Sequence, residues 1–157
     1  GIIMQEDKIR IRVAMVIPRK DEILLVRHVK EDRSYWLIPG GGLNYGETVE
    51  DCARREIKEE TNVEVRMLKL LFVSESVSKD YDRHLINLIF LGQAMNPDNE
   101  LKVLGDSRIQ EVKYLPVSML KDIELHPPIA NFLVKAFNDQ FKSPAMFLGN
   151  LWSYSFR

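Results

Sequence analysis

The stretch GGLNYGETVEDCARREIKEETNV, Gly41 to Val63, decides how this chain is read. With Gly40, which follows Pro39, its first two residues make three consecutive glycines, Gly40–Gly42. Thr48 can then cap a helix running to about Thr61, with Asp51 three residues on at the capping-box spacing. Glu56, Glu59 and Glu60 crowd into five residues of that helix. Like charges at such spacing repel by a few tenths of a kcal/mol, so the cluster needs a reason. On a wheel of about 100° per residue with Glu56 at zero, Glu60 lies near +40° and Glu59 near −60°. Val49, Ala53 and Ile57 fall at roughly +20° to +100° on the same wheel. Glu60 therefore sits within the apolar sector and Glu56 at its edge, while Asp51, Arg54 and Lys58 lie opposite. A solvated charge run would face away from the apolar stripe, which accounts for Arg54 and Lys58 but not for Glu56 or Glu60. Half-buried carboxylates this close must be paired, protonated or bound to a cation. Oxygen donors of this kind suit Mg²⁺ or Mn²⁺ rather than zinc.

Outward from the helix the chain reads as alternating strand and turn. Arg10–Ile17 and Glu22–His28 are strands parted by a PRKD turn, and Tyr35–Ile38 is a short strand ending at Pro39. Two longer β-rich runs follow, Val63–Ser78 and His84–Met95, then a strand over Glu111–Leu115. Pro127–Phe141 reads as an amphipathic helix, with Ile129, Phe132, Leu133, Ala136 and Phe137 at helical spacing. The simplest architecture is α/β, a mixed β-sheet between helices. The 157 residues (18.3 kDa) read as one domain over 1–157 with an apolar, aromatic tail at 143–157.

The net charge of −1, with Lys and Arg scattered, gives no sign of a nucleic-acid or anionic-membrane surface. No apolar run approaches the roughly 18 residues of a spanning helix, and no charged-then-apolar leader opens the chain. With Cys52 as the one cysteine, no intrachain disulfide can form; a cytoplasmic location is the expectation. Cys52 itself reads as a packing residue.

The helix and its approach resemble the signature of the Nudix hydrolases: Gly, five residues, Glu, seven residues, then Arg-Glu-apolar-x-Glu-Glu-x-Gly-apolar. Those places hold Gly41, Glu47, Arg55, Glu56, Ile57, Glu59, Glu60, Asn62 and Val63. Asn62 replaces the signature's last glycine; of the residues with a side chain, Asn best tolerates the left-handed conformation that ends a helix. The resemblance implies an α/β/α sandwich, with Glu56, Glu59, Glu60 and the Gly41 backbone as ligands to Mg²⁺, or Mn²⁺. It also implies that Glu47 and Arg55 form an ion pair orienting the helix.

The resemblance further implies a pyrophosphohydrolase. The proton acceptor for the attacking water lies either in the box, at Glu59, or in a later segment, at Glu111, with Asp106 a weaker competitor. Arg27, Arg83 and His84 could meet phosphate oxygens, and Tyr35, Phe72 or Tyr81 could stack on a base, though each also reads as an ordinary surface or core residue. The expected substrate is a small-molecule nucleotide: a nucleoside diphosphate linked to another moiety, with ADP-ribose or a related NDP-sugar first. Dinucleoside polyphosphates and nucleoside triphosphates are alternatives, as is a binding module that kept the fold and lost the chemistry. A homodimer is the expected assembly, with the apolar tail packed across its own domain or a second subunit.

Overall fold

A computed structural model describes residues 7–80, 83–105 and 108–152. Ten strands, two α-helices and one 3-10 turn follow one another along these residues. β1 (Arg10–Val16), β5 (Gly40–Gly42), β6 (Val65–Val77), β7 (His84–Ala94) and β10 (Met146–Asn150) form one sheet in the order β10-β6-β7-β1-β5. β2 (Pro18–Arg19), β3 (Glu22–Lys30), β4 (Arg33–Leu37) and β9 (Leu125–His126) form the second, with β8 (Ile109–Pro116) on β3. Both are mixed. β1 runs parallel to β7 and antiparallel to β5, while β4 runs parallel to β9 and antiparallel to β3.

The class expected from the sequence holds, but the strands divide between two sheets. Pro18 is a physical reason, because it has no N–H to extend a ladder. The chain leaves the first sheet after Val16 and turns at Lys20, where φ is 55°, into the antiparallel pair of β2 and β3.

α1 (Val49–Thr61) is capped as its sequence indicates: the Thr48 hydroxyl accepts from the Asp51 N–H at 3.1 Å. It ends at Asn62, in the left-handed region at φ 65°, whose N–H bonds Lys58 O. α2 is shorter than its amphipathic pattern, Ala130–Asn138. At its start Ile129 N bonds Pro127 O, and at its end Gln140 and Phe141 take positive φ.

The alternation of β1 feeds two cores. Val13, Met15 and Ile17 pack with Cys52, Ala53 and Ile57 of α1, while Ala14 and Val16 join the cluster holding Ile129 and Leu133 at α2. The tail supplies β10, which pairs parallel to β6 with Met146 opposite Phe72, and Leu148 and Leu151 pack on the α2-side core. Among the described residues no helix is long and apolar enough to cross a membrane.

Candidate active site

α1 presents Glu56 and Glu60 to the glycine turn of β5. Glu60 is buried, and its Oε1 accepts from the Gly40 N–H at 2.8 Å. Glu56 Oε1 accepts from Arg55 Nη1 at 2.8 Å. A Cβ built on Gly41 would lie 2.2 Å from Glu56 Cδ, and one on Gly40 would lie 2.1 Å from the Val13 carbonyl oxygen. Neither position can hold a side chain without moving its neighbours, so the glycines permit the close approach of helix, turn and β1.

The expected ion pair is formed. Arg55 Nε and Nη2 donate to the two carboxylate oxygens of Glu47 at 2.8 and 3.0 Å, a bidentate fork. Arg55 Nη2 also reaches the Gly42 carbonyl at 3.3 Å. Hydrogen bonding from Arg55 holds the Glu47 carboxyl down to about 2, and the same bond raises the Arg55 pKa above its ordinary value. The Cys52 thiol points at the Gly42 carbonyl, 3.4 Å away, and burial pushes its pKa up to about 11. It stays a neutral packing thiol.

Glu56, Glu60 and Gly40–Gly42 line one side of a cavity of about 300 Å³. Arg12, Arg83, Arg108 and Asn87 line the same cavity, so it carries both signs of charge. Of the arginines expected at phosphate, Arg83 is there. Arg27 is not among the cavity's lining residues: its Nε donates to Glu111 Oε2 at 2.9 Å and its Nη1 to Ser34 Oγ at 3.3 Å. The two residues stand opposite one another in the β3–β8 ladder. Glu59 is about half exposed, with its carboxylate 3.9 Å from Arg55 Nη1, and it too is outside the lining. Tyr81 and Asp106 lie outside the described residues. Among the described residues no three His, Cys, Asp or Glu side chains converge into a ready ligand cluster.

Two features of the cavity lie outside the residues expected from the sequence. His126 is buried in its wall, its ring edge-on to Tyr35 with centroids 5.0 Å apart and its Nε2 3.3 Å from Glu124 Oε1. Burial lowers the His126 pKa. Arg33 Nη2 donates to that same Glu124 oxygen at 2.7 Å. The other feature is Arg12, whose signal was present: Arg10 and Arg12 continue, two residues apart, the inward row of Ala14 and Val16.

The NUDIX domain model matches residues 8–136, and the chain belongs to that family. It is 33% identical over 97 residues to the ADP-ribose pyrophosphatase of Methanocaldococcus jannaschii, covering 61% of this chain and 56% of that protein. To the NAD-capped RNA hydrolase NudC of Vibrio atlanticus it is 24% identical, covering 85% of this chain and 47% of that protein. The chain thus spans about half the length of these curated relatives. A solved NUDIX hydrolase from Nitrosomonas europaea superimposes with a TM-score of 0.72 at 20% identity, over 87% of this chain and 93% of that one. That likeness shows the fold.

Proposed function

We propose that this chain is a divalent-cation-dependent pyrophosphohydrolase for a nucleoside diphosphate linked to a second moiety, with ADP-ribose or a related NDP-sugar as substrate. One observation carries the reading: Glu56 and Glu60 open into the same cavity as Arg12 and Arg83, beside the glycine turn. Carboxylates alone would repel a diphosphate, and arginines alone would bind it without activating it. The name of the Methanocaldococcus relative supports the choice of ADP-ribose.

The donors suit a hard cation: two carboxylates, with the space that a Cβ on Gly41 would fill kept open beside Glu56. Glu56 and Glu60, with Glu59 and the Gly41 carbonyl, would hold Mg²⁺ or Mn²⁺. When bound, such an ion neutralises phosphate oxygens and lowers the pKa of a coordinated water. Arg55 holds the Glu56 carboxylate in place at the cavity wall, and Glu47 fixes Arg55 in turn. Between the two candidates for the water's proton, Glu59 is favoured, because Glu111 is engaged by Arg27. Met146 and Phe147, exposed on the outermost strand, support a homodimer as part of the same proposal.

The test is product identity. With Mg²⁺, ADP-ribose should yield AMP and ribose 5-phosphate, and ¹⁸O from water should appear on a phosphate oxygen of one product. Release of free adenine, label on a sugar carbon, or unchanged turnover in EDTA would overturn the reading.

A further inference from the structure

The inward rows of three neighbouring strands change from apolar to polar at one level. Ala14 of β1, Ile89 of β7 and Phe72 of β6 stand opposite one another in the ladders, and all three belong to the α2-side core. The next row is Arg12, Asn87 and Ser74, and the one after it Arg10, Leu85 and Ser76. Side chains two apart on a strand share a face, so these rows continue the core as a floor to the cavity. Arg12, Asn87 and Ser76 line it. Buried polar groups are expensive unless satisfied. Asn87 answers this by donating its Nδ2 to Ser74 Oγ at 3.2 Å and to Ser76 Oγ at 3.4 Å. Arg12 answers it only in part. Its Nη2 donates to the Ile38 carbonyl at 2.7 Å, while its Nη1 is buried with no hydrogen-bond partner among the described residues.

From this we infer that Arg12 is the anchoring residue of a phosphoryl subsite: Ile38 fixes one arm of the guanidinium, and Nη1 donates to a phosphate oxygen of the bound diphosphate. The inference rests on reading the cavity as a diphosphate site. A fork geometry matches phosphate oxygens, and an arm already tethered loses little freedom on binding. A neutral hydroxyl ligand would give Nη1 only an uncharged acceptor, whereas a phosphoryl group gives it a charge-assisted hydrogen bond. Glu56 and Glu60, close enough to act electrostatically on Arg12, keep it from being an isolated buried cation before substrate arrives. The phosphoryl group it takes is then the one lying next to the carboxylates.

The probe is methylenediphosphonate, a diphosphate that cannot be hydrolysed, titrated by calorimetry in Mg²⁺ into wild type, Arg12→Gln and Arg12→Lys. Arg19→Gln, a surface change outside the cavity, is the control. Wild type and the control should bind alike, and Arg12→Gln at least tenfold more weakly. Arg12→Lys should fall between, since one ammonium cannot serve both Ile38 and the ligand from the arginine's position. Circular dichroism checks folding, and if Arg12→Gln does not fold, Arg12→Lys carries the test. Less than a tenfold loss in Arg12→Gln, less than a threefold loss in Arg12→Lys when it stands alone, or no binding by wild type overturns the inference. Wild-type hydrolysis of ADP-ribose is scored separately. Turnover without an Arg12 effect defeats the subsite alone, and Arg12-dependent binding without turnover of any nucleotide defeats the enzymatic reading alone.

Discussion

Arg27 and Glu111, 84 positions apart in sequence, meet across the β3–β8 ladder with Nε and Oε2 2.9 Å apart. One was expected at phosphate and the other at the attacking water; here the two are paired with each other. Both are partly exposed, so the pair is worth no more than about 1 kcal/mol. Glu111→Gln should therefore melt close to wild type and lose less than tenfold in turnover. Glu59→Gln should lose on the order of a hundredfold or more, the usual scale for a general base. Steady-state rates of the two variants under saturating Mg²⁺ decide this, and the reverse order would place the base on β8.

Gly41 gives the second prediction. An alanine there would put Cβ 2.2 Å from Glu56 Cδ, and the group that must yield is the mobile end of a side chain. The fold should survive with a loss of about 1 kcal/mol or less. The carboxylate would be pushed from its place beside the turn, so Mn²⁺ affinity, read by electron paramagnetic resonance, should fall at least tenfold. Unchanged Mn²⁺ binding in Gly41→Ala would remove Glu56 from the ligand set.

The Glu47–Arg55 pair gives a pH-dependent contribution to stability. The Glu47 carboxyl is held down to about 2 by the hydrogen bonds of Arg55, from an ordinary value of 4.5. A depressed carboxylate stabilises the native state above its unfolded pKa, and that contribution is lost as pH falls toward the folded one. The melting-temperature gap between wild type and Glu47→Gln should hold constant from pH 7 to about 5 and then narrow down to about pH 2. A gap independent of pH over this window would show that the pair contributes nothing through charge.

The site was legible wherever its chemistry is local in sequence. One helix carries Glu56, Glu60 and Arg55, and helical spacing alone put Glu60 on the buried side, where it lies 4% exposed. Asn62 likewise revealed its left-handed conformation by residue type, although its side-chain bond to Glu100 O at 2.9 Å was beyond local reasoning. The pairing of Arg27 with Glu111 depends on ladder register, which no periodicity within either strand reveals. Arg12 belongs to the same category. Its row was readable on β1, but the matching polar positions on β7 and β6 become a floor only once three strands are aligned.

The tail yields the last prediction. Its apolar content was legible, but its form was not: Met146–Asn150 adds a parallel strand to β6. Beyond the ladder, Leu151 N donates to Glu75 O at 2.8 Å and Val77 N to Asn150 Oδ1 at 3.0 Å. Leu148 and Leu151 cover the α2-side core, while Phe147 stays 65% exposed. Ending the chain after Ser143 would bare the edge of β6 and uncover those core residues together. Unpaired edges and exposed apolar surface both promote association, so the truncated protein should aggregate and melt well below the full chain. Substituting Phe147→Ser tests the dimer separately, because this side chain is exposed beside the β6 pairing. The 157-residue chain should sediment as a dimer and Phe147→Ser should shift toward monomer with little change in melting temperature. If the 157-residue chain proved monomeric, β10 would be an intramolecular edge and the dimer would leave the proposal.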